Sequence, residues 1–136
     1  MSKTKNHPTM KKIFFVFLAL IVFSCSPKIT TNFETSEKPL TIEDKVALLD
    51  VQHTVPAGAK KIGNARYQDS GFTTDCDFNS HLTKARKLAR EKGANIVKVT
   101  EKKTPDLWSL CYRIKVDFYY DVADVTKIPQ YKLQIN

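Results

Sequence analysis

Between positions 110 and 121 the sequence LCYRIKVDFYYD alternates without a break. Leu110, Tyr112, Ile114, Val116, Phe118 and Tyr120 fall on one side, and Cys111, Arg113, Lys115, Asp117, Tyr119 and Asp121 on the other. Successive side chains of a strand point to opposite faces, so this segment predicts a strand with one apolar and one polar face. Such strands build an antiparallel sheet that is covered on a single side. The chain carries one segment suited to cover it. In residues 78–92, Phe78, Leu82, Ala85 and Ala89, with Leu88 beside them, recur at spacings of three and four, while Lys84, Arg86, Lys87, Arg90 and Glu91 fill the remainder. Asp77, Asn79 or Ser80 can cap the start of this helix, and Gly93 can end it in the left-handed conformation.

Three further segments complete the expected sheet. Residues 45–51, KVALLDV, form a short apolar strand; residues 60–69 form a second, interrupted by Gly63; residues 95–102 form a β-branched third after the helix. The expectation is an α+β domain over residues 44–122, strand, strand, helix, strand, strand, with about four antiparallel strands and the helix on one face. Residues 123–136 form a tail in which YKLQI could add an edge strand.

The N-terminus places this domain in a compartment. Residues 13–23 are 11 consecutive apolar residues, which as a helix cover roughly 16 Å, about half of a hydrocarbon layer. Lys3, Lys5, Lys11 and Lys12 precede the run, and no acidic residue does, which is the pattern of a secretory signal over residues 1–24. The MKK at Met10 is a second possible start of translation. Val22-Phe23-Ser24-Cys25 resembles the lipobox of bacterial lipoproteins, and that resemblance implies cleavage before Cys25 and acylation of its sulfur. Two or more acyl chains hold a protein stably on a membrane. Residues 25–43, polar and holding Pro27 and Pro39, then read as a flexible tether.

Removing the first 24 of 136 residues leaves 112, the size of one small domain. Four lysines leave with that segment, so a net charge of +8 falls to +4 and the basicity that would favour nucleic acid largely disappears. Cys76 and Cys111 remain as an even pair in an oxidising compartment, where a disulfide is the economical expectation. One tension stands in this scheme. Cys111 lies on the polar side of its strand, whereas Cys76 precedes the helix that covers the apolar side, so either the alternation is reset near Leu110 or the bridge wraps around the strand end.

The block from Ile62 to Tyr120 carries DSGFTT-x-C at positions 69–76, GAN at 93–95 and CYRI at 111–114. It resembles a family of small Bacteroidetes envelope lipoproteins, which implies an exported, lipid-anchored protein and no particular activity. The helix with its GANIVKV exit is also similar to the core of the outer-membrane lipoproteins that sense envelope stress for the Rcs phosphorelay. That second likeness implies a disulfide-stapled α+β domain and a sensing role, although those proteins carry two bridges and this chain can form one.

Catalytic signals are few. Cys76, His81 and Cys111, with Asp75 or Asp77, could be metal ligands, but paired Cys-x2-Cys or His-x3-His spacings are missing. A reactive thiol at Cys76 would be opposed by the flanking Asp75 and Asp77. No oriented nucleophile, phosphate loop or spaced acidic pair stands out, so no enzyme, cofactor or small-molecule substrate is expected. Two surfaces could meet a partner: the basic helix face of Lys84, Arg86, Lys87 and Arg90, and the outer sheet face of Arg113, Lys115 and Tyr119. The expected partners are a membrane, reached through the lipid on Cys25, and a protein of the envelope. Surface-exported lipoproteins of the Bacteroidetes kind often carry acidic residues just after the acylated cysteine, and SPKIT has none, so the resemblance implies the periplasmic side of the outer membrane. The sequence thus predicts a tethered binding or structural module, with a stress sensor or accessory subunit of an outer-membrane complex, and a metal-binding or thiol-active protein, as alternatives.

Overall fold

The computed structural model describes residues 28–71 and 74–134. The expected signal segment and Cys25 lie outside the described residues. Five strands form one sheet: β1 Lys28–Phe33, β2 Ala47–Leu49, β3 Lys60–Gln68, β4 Ile96–Lys103 and β5 Arg113–Tyr120. Among the described residues one helix, α1 Phe78–Lys92, packs on one face, and a short 3₁₀ turn at Val125–Lys127 follows β5. The strand order is β1-β3-β5-β4-β2. This is the expected α+β architecture with one strand more.

Helix α1 has the predicted limits because both ends are capped by side-chain and backbone chemistry that the sequence displays. Asp77 accepts hydrogen bonds from the Ser80 amide (2.9 Å) and the Ser80 hydroxyl (2.8 Å). At the other end Gly93 has φ +75°, and the Ala94 amide donates to Ala89 O at 2.8 Å. The apolar stripe Leu82, Ala85 and Ala89 is fully buried against Ile62, Ala65, Tyr67, Val97, Val99, Ile114, Val116 and Phe118. Small residues on the helix and large ones on the sheet let the two layers approach closely. Each large side chain removed from water here contributes roughly 1.5–3 kcal/mol.

Four expectations need correction. The sheet is mixed, because β2 runs parallel to β4, with Ala47 opposite Ile96. All three residues of β2 are buried, Leu48 in the helix-side core and Ala47 and Leu49 in a second cluster with Ile96 and Val125. A continuous apolar run is what a strand covered on both faces requires. Second, residues 28–33 of the expected flexible tether form a strand: β1 pairs antiparallel with β3, from Lys28 opposite Gln68 to Phe33 opposite Gly63. The chain then crosses the end of α1, where the Glu37 and Leu40 amides donate to Lys92 O (3.0 Å) and Arg90 O (2.9 Å). Third, YKLQI adds no strand among its described residues; the Tyr131 amide donates to Leu48 O at 2.7 Å and the Tyr131 ring packs on the core.

The fourth correction resolves the cysteine tension. Strand β5 begins at Arg113 rather than Leu110, and the residues before it form a turn in which Leu110 is 90% exposed and Cys111 2%. The alternation therefore starts only at the strand, and Cys111 lies inward. Bulges near Gly63 in β3 and Thr100 in β4 adjust the sheet on either side of β5.

Gly93 and Gly71 both have positive φ, but their surroundings differ. A Cβ on Gly93 would lie 2.6 Å from Lys38 O of the crossing segment, whereas one on Gly71 meets nothing within 4 Å. Gly71→Ala should therefore cost about 1 kcal/mol of backbone strain. Gly93→Ala should cost that and roughly 1–3 kcal/mol more from the clash. Urea unfolding of the two variants checks the order.

Candidate functional site

The bridge between Cys76 and Cys111 has Cα atoms 5.0 Å apart and organises the end of the molecule where α1 begins and β5 begins. Beside it the Tyr112 amide donates to Cys76 O (3.0 Å), and Nε2 of the fully buried His81 lies 2.9 Å from Tyr112 O. A carbonyl only accepts, so this nitrogen carries the proton. Burial pushes the imidazole below its ordinary pKa, partly opposed by that hydrogen bond. The ring packs against Tyr67, at 5.5 Å between centroids, whose hydroxyl is pushed up by burial. With the two sulfurs bonded to each other, neither is a thiolate ligand or nucleophile, and His81 is held as a neutral core donor. Among the described residues no group of three His, Cys, Asp or Glu side chains is arranged to hold a metal ion.

The basic helix face is largely turned to the protein's own use. Lys84 Nζ lies 2.8 Å from both the carboxylate and the carbonyl of Asp75. Arg90 donates to the carbonyls of Asp44 (3.2 Å) and Ile42 (3.4 Å), and Lys92 sits 5.4 Å from the centre of the Phe33 ring. Arg86 is half-buried in the wall of an open groove of about 610 Å³ that Leu48, His53 and Tyr131 also line. Lys87 is exposed. The outer sheet face is likewise paired: Lys115 with Glu101 (2.5 Å), Lys61 with Asp117 (2.7 Å), and Arg113 with Asp106. Tyr119 packs against the second apolar cluster. Part of the charge on this face is thus balanced, although Lys103 and Lys115 share Glu101 and exposed Arg66 stands opposite Lys115.

Behind these faces a buried carboxylate is also fully engaged. Asp50 pairs with Lys102 at 2.6 Å, while Lys98 Nζ donates to the carbonyls of Asp50 (2.7 Å), Val51 (2.9 Å) and His53 (2.6 Å). The two lysines tie the turn after β2 to β4. It is a structural cluster with no free base.

Sequence reasoning expects a loop over TPDLWSL, residues 104–110, and missed that its large apolar side chains face out. Leu107, Trp108 and Leu110 are 100%, 93% and 90% exposed, although the backbone that carries them is tightly held. The Asp106 carboxylate accepts from the amides of Trp108 (2.9 Å) and Ser109 (3.0 Å) and pairs with Arg113, and the Asp106 amide donates to Ser109 O (2.8 Å). Ser109 Oγ donates to Asp69 (2.6 Å) and accepts from the Cys111 amide (3.2 Å). The signal was present as two leucines and the chain's single Trp within four residues of a Pro-Asp turn. Placing Leu110 in the alternation hid it.

No protein-family model, curated protein or solved structure matches this chain at a significant level, so its function is argued from its own residues. Among the described residues no helix is long and apolar enough to cross a membrane.

The bridge closes a loop over a sequence separation of 35, worth roughly 4 kcal/mol on the loop-entropy model. Cys76→Ser with Cys111→Ser should lower the free energy of unfolding by about that amount, and reductant should do the same to the native chain alone. For His81, a folded-state pKa below the ordinary 6.5 means that the unfolded chain binds a proton the folded chain refuses. Its contribution is complete above that pH and is lost as pH falls below it. Asp69, Asp75, Asp77 and Asp106, held low mainly by hydrogen bonds from Ser109, Lys84, Ser80 and Arg113, respond only below about pH 4. Urea midpoints of the native chain should therefore drop between about pH 7 and pH 5, and His81→Leu should flatten that step.

Proposed function

We propose that this chain is an envelope lipoprotein whose leader, residues 1–24, is removed and whose Cys25 is acylated, and which serves on the periplasmic side of the outer membrane as a non-enzymatic binding or structural module. The observation that carries the reading is the position of Cys25, directly at the exit of an apolar run too short to span and three residues before the first strand. The buried bridge supports it, because such bonds persist in oxidising compartments. So does the engagement of His81, Asp50 and Lys98 in core and turn contacts, which leaves the polar interior with structural duties.

Because β1 takes up residues 28–33, only Ser26 and Pro27 separate Cys25 from the sheet. Three residues reach at most about 11 Å. The body therefore rests on the bilayer surface instead of standing off it, and its partner is another protein at that surface. Mass spectrometry of the N-terminal peptide from cells producing the full chain should find acyl mass on Cys25 and no leader. Cys25→Ser should move the protein from the membrane fraction to the soluble fraction. An intact leader, or a mature chain without acyl mass, overturns the proposal.

A further inference from the structure

Lys28, the first residue of β1, stands opposite Gln68 at the C-terminal end of β3, and the same end of the sheet holds the end of β4 and the start of β5, where Lys103 faces Arg113. The turn bearing Leu107, Trp108 and Leu110 projects from this end. It is joined to the chain next to Lys28's partner by the bond from Ser109 Oγ to Asp69. Strands β1 and β5 are two places apart in the sheet, roughly 10 Å, which is also the reach of the three residues linking Cys25 to β1. The start of β1, which leads back to Cys25, and the apolar turn therefore lie at the same end of the sheet.

The turn is built for exposure. A mobile loop can bring apolar side chains to the surface by accident, but this one is fixed by Asp106, Ser109, Arg113 and the bridge at Cys111, with its three large apolar side chains directed outward. Such a group at the tip of a rigid element marks a binding surface. Its composition suits the boundary between headgroups and acyl chains, where Trp is favoured and leucines enter the apolar side. Exposed Lys28 and Lys103, the latter 3.4 Å from Glu101, lie at the same end of the sheet and can reach headgroups with their ammonium groups.

We infer that the Leu107-Trp108-Leu110 turn inserts into the lipid interface of the membrane that carries the anchor, so that the domain is held at two points and in one orientation. The inference rests on acylation at Cys25, and the experiment separates the two. Trp108 is the only tryptophan, so its fluorescence reports the turn alone. Full acylated chain, with acyl mass verified on the same preparation, is reconstituted into vesicles of phosphatidylethanolamine and phosphatidylglycerol with and without brominated acyl chains. Trp108 emission should shift to the blue, lose most of its intensity to brominated lipid and become nearly insensitive to iodide. Leu107→Ser with Leu110→Ser, both at solvent-exposed positions outside the core, should keep the protein on the vesicles while restoring the iodide sensitivity. An acylated chain whose Trp108 stays open to iodide and indifferent to brominated lipid overturns the inference and leaves the anchor standing. Protection from iodide without quenching by brominated lipid assigns the turn to a second copy or a protein partner, and also overturns it. Absence of acyl mass removes both proposals.

Discussion

The covalent bond between Cys76 and Cys111 lies where three parts of the molecule meet. Each sulfur stands two residues ahead of a principal element, Cys76 before α1 and Cys111 before β5. The bond sets how the helix enters the sheet and carries on into the core, because Tyr112 is held to Cys76 and His81 to Tyr112. It also closes one side of the turn that presents Trp108. A domain of this size buries a limited core, so a restraint on the unfolded chain is a large share of its stability.

The packing around that bond is asymmetric. Helix α1 contributes mostly alanines and one leucine, and the bulk comes from Tyr67, Phe118, Ile62 and Ile114 of the sheet. The opposite sheet face is wet in its central part, where Lys115 meets Glu101 and Lys61 meets Asp117. Beside β2 it is covered by the segment around Val55 and Ala59 and by Val125. Many of the charges on both faces are held by neighbours, and the apolar turn is a feature whose chemistry the protein itself does not use.

Anchor and fold are linked by the place of β1. A strand that begins three residues after Cys25 turns what looked like a spacer into part of the sheet. Under the proposed acylation of Cys25, the end of the sheet nearest the bilayer would be the one that carries Lys28, Lys103 and the turn.

Local chemistry decided the helix, its Asp77 and Gly93 caps, β3 and β4 to within a residue at each end, and the cysteine pairing, because period, capping and cysteine count act over a few neighbours or in the denatured chain. The β-branched Ile29, Thr30 and Thr31 hinted at a strand, yet KITTNF has no buried face to give it a period, and its partner lies some forty residues away at Gln68. The parallel pairing of β2, the inward turn of Cys111 and the outward turn of Leu110 were similarly hidden. A strand's direction and the start of its alternation depend on which neighbours it meets, and only the assembled sheet supplies those neighbours. The sequence by itself determined the elements and the bond between two of them; the tertiary structure alone decided where the chain's first strand lies and which apolar side chains are left facing out.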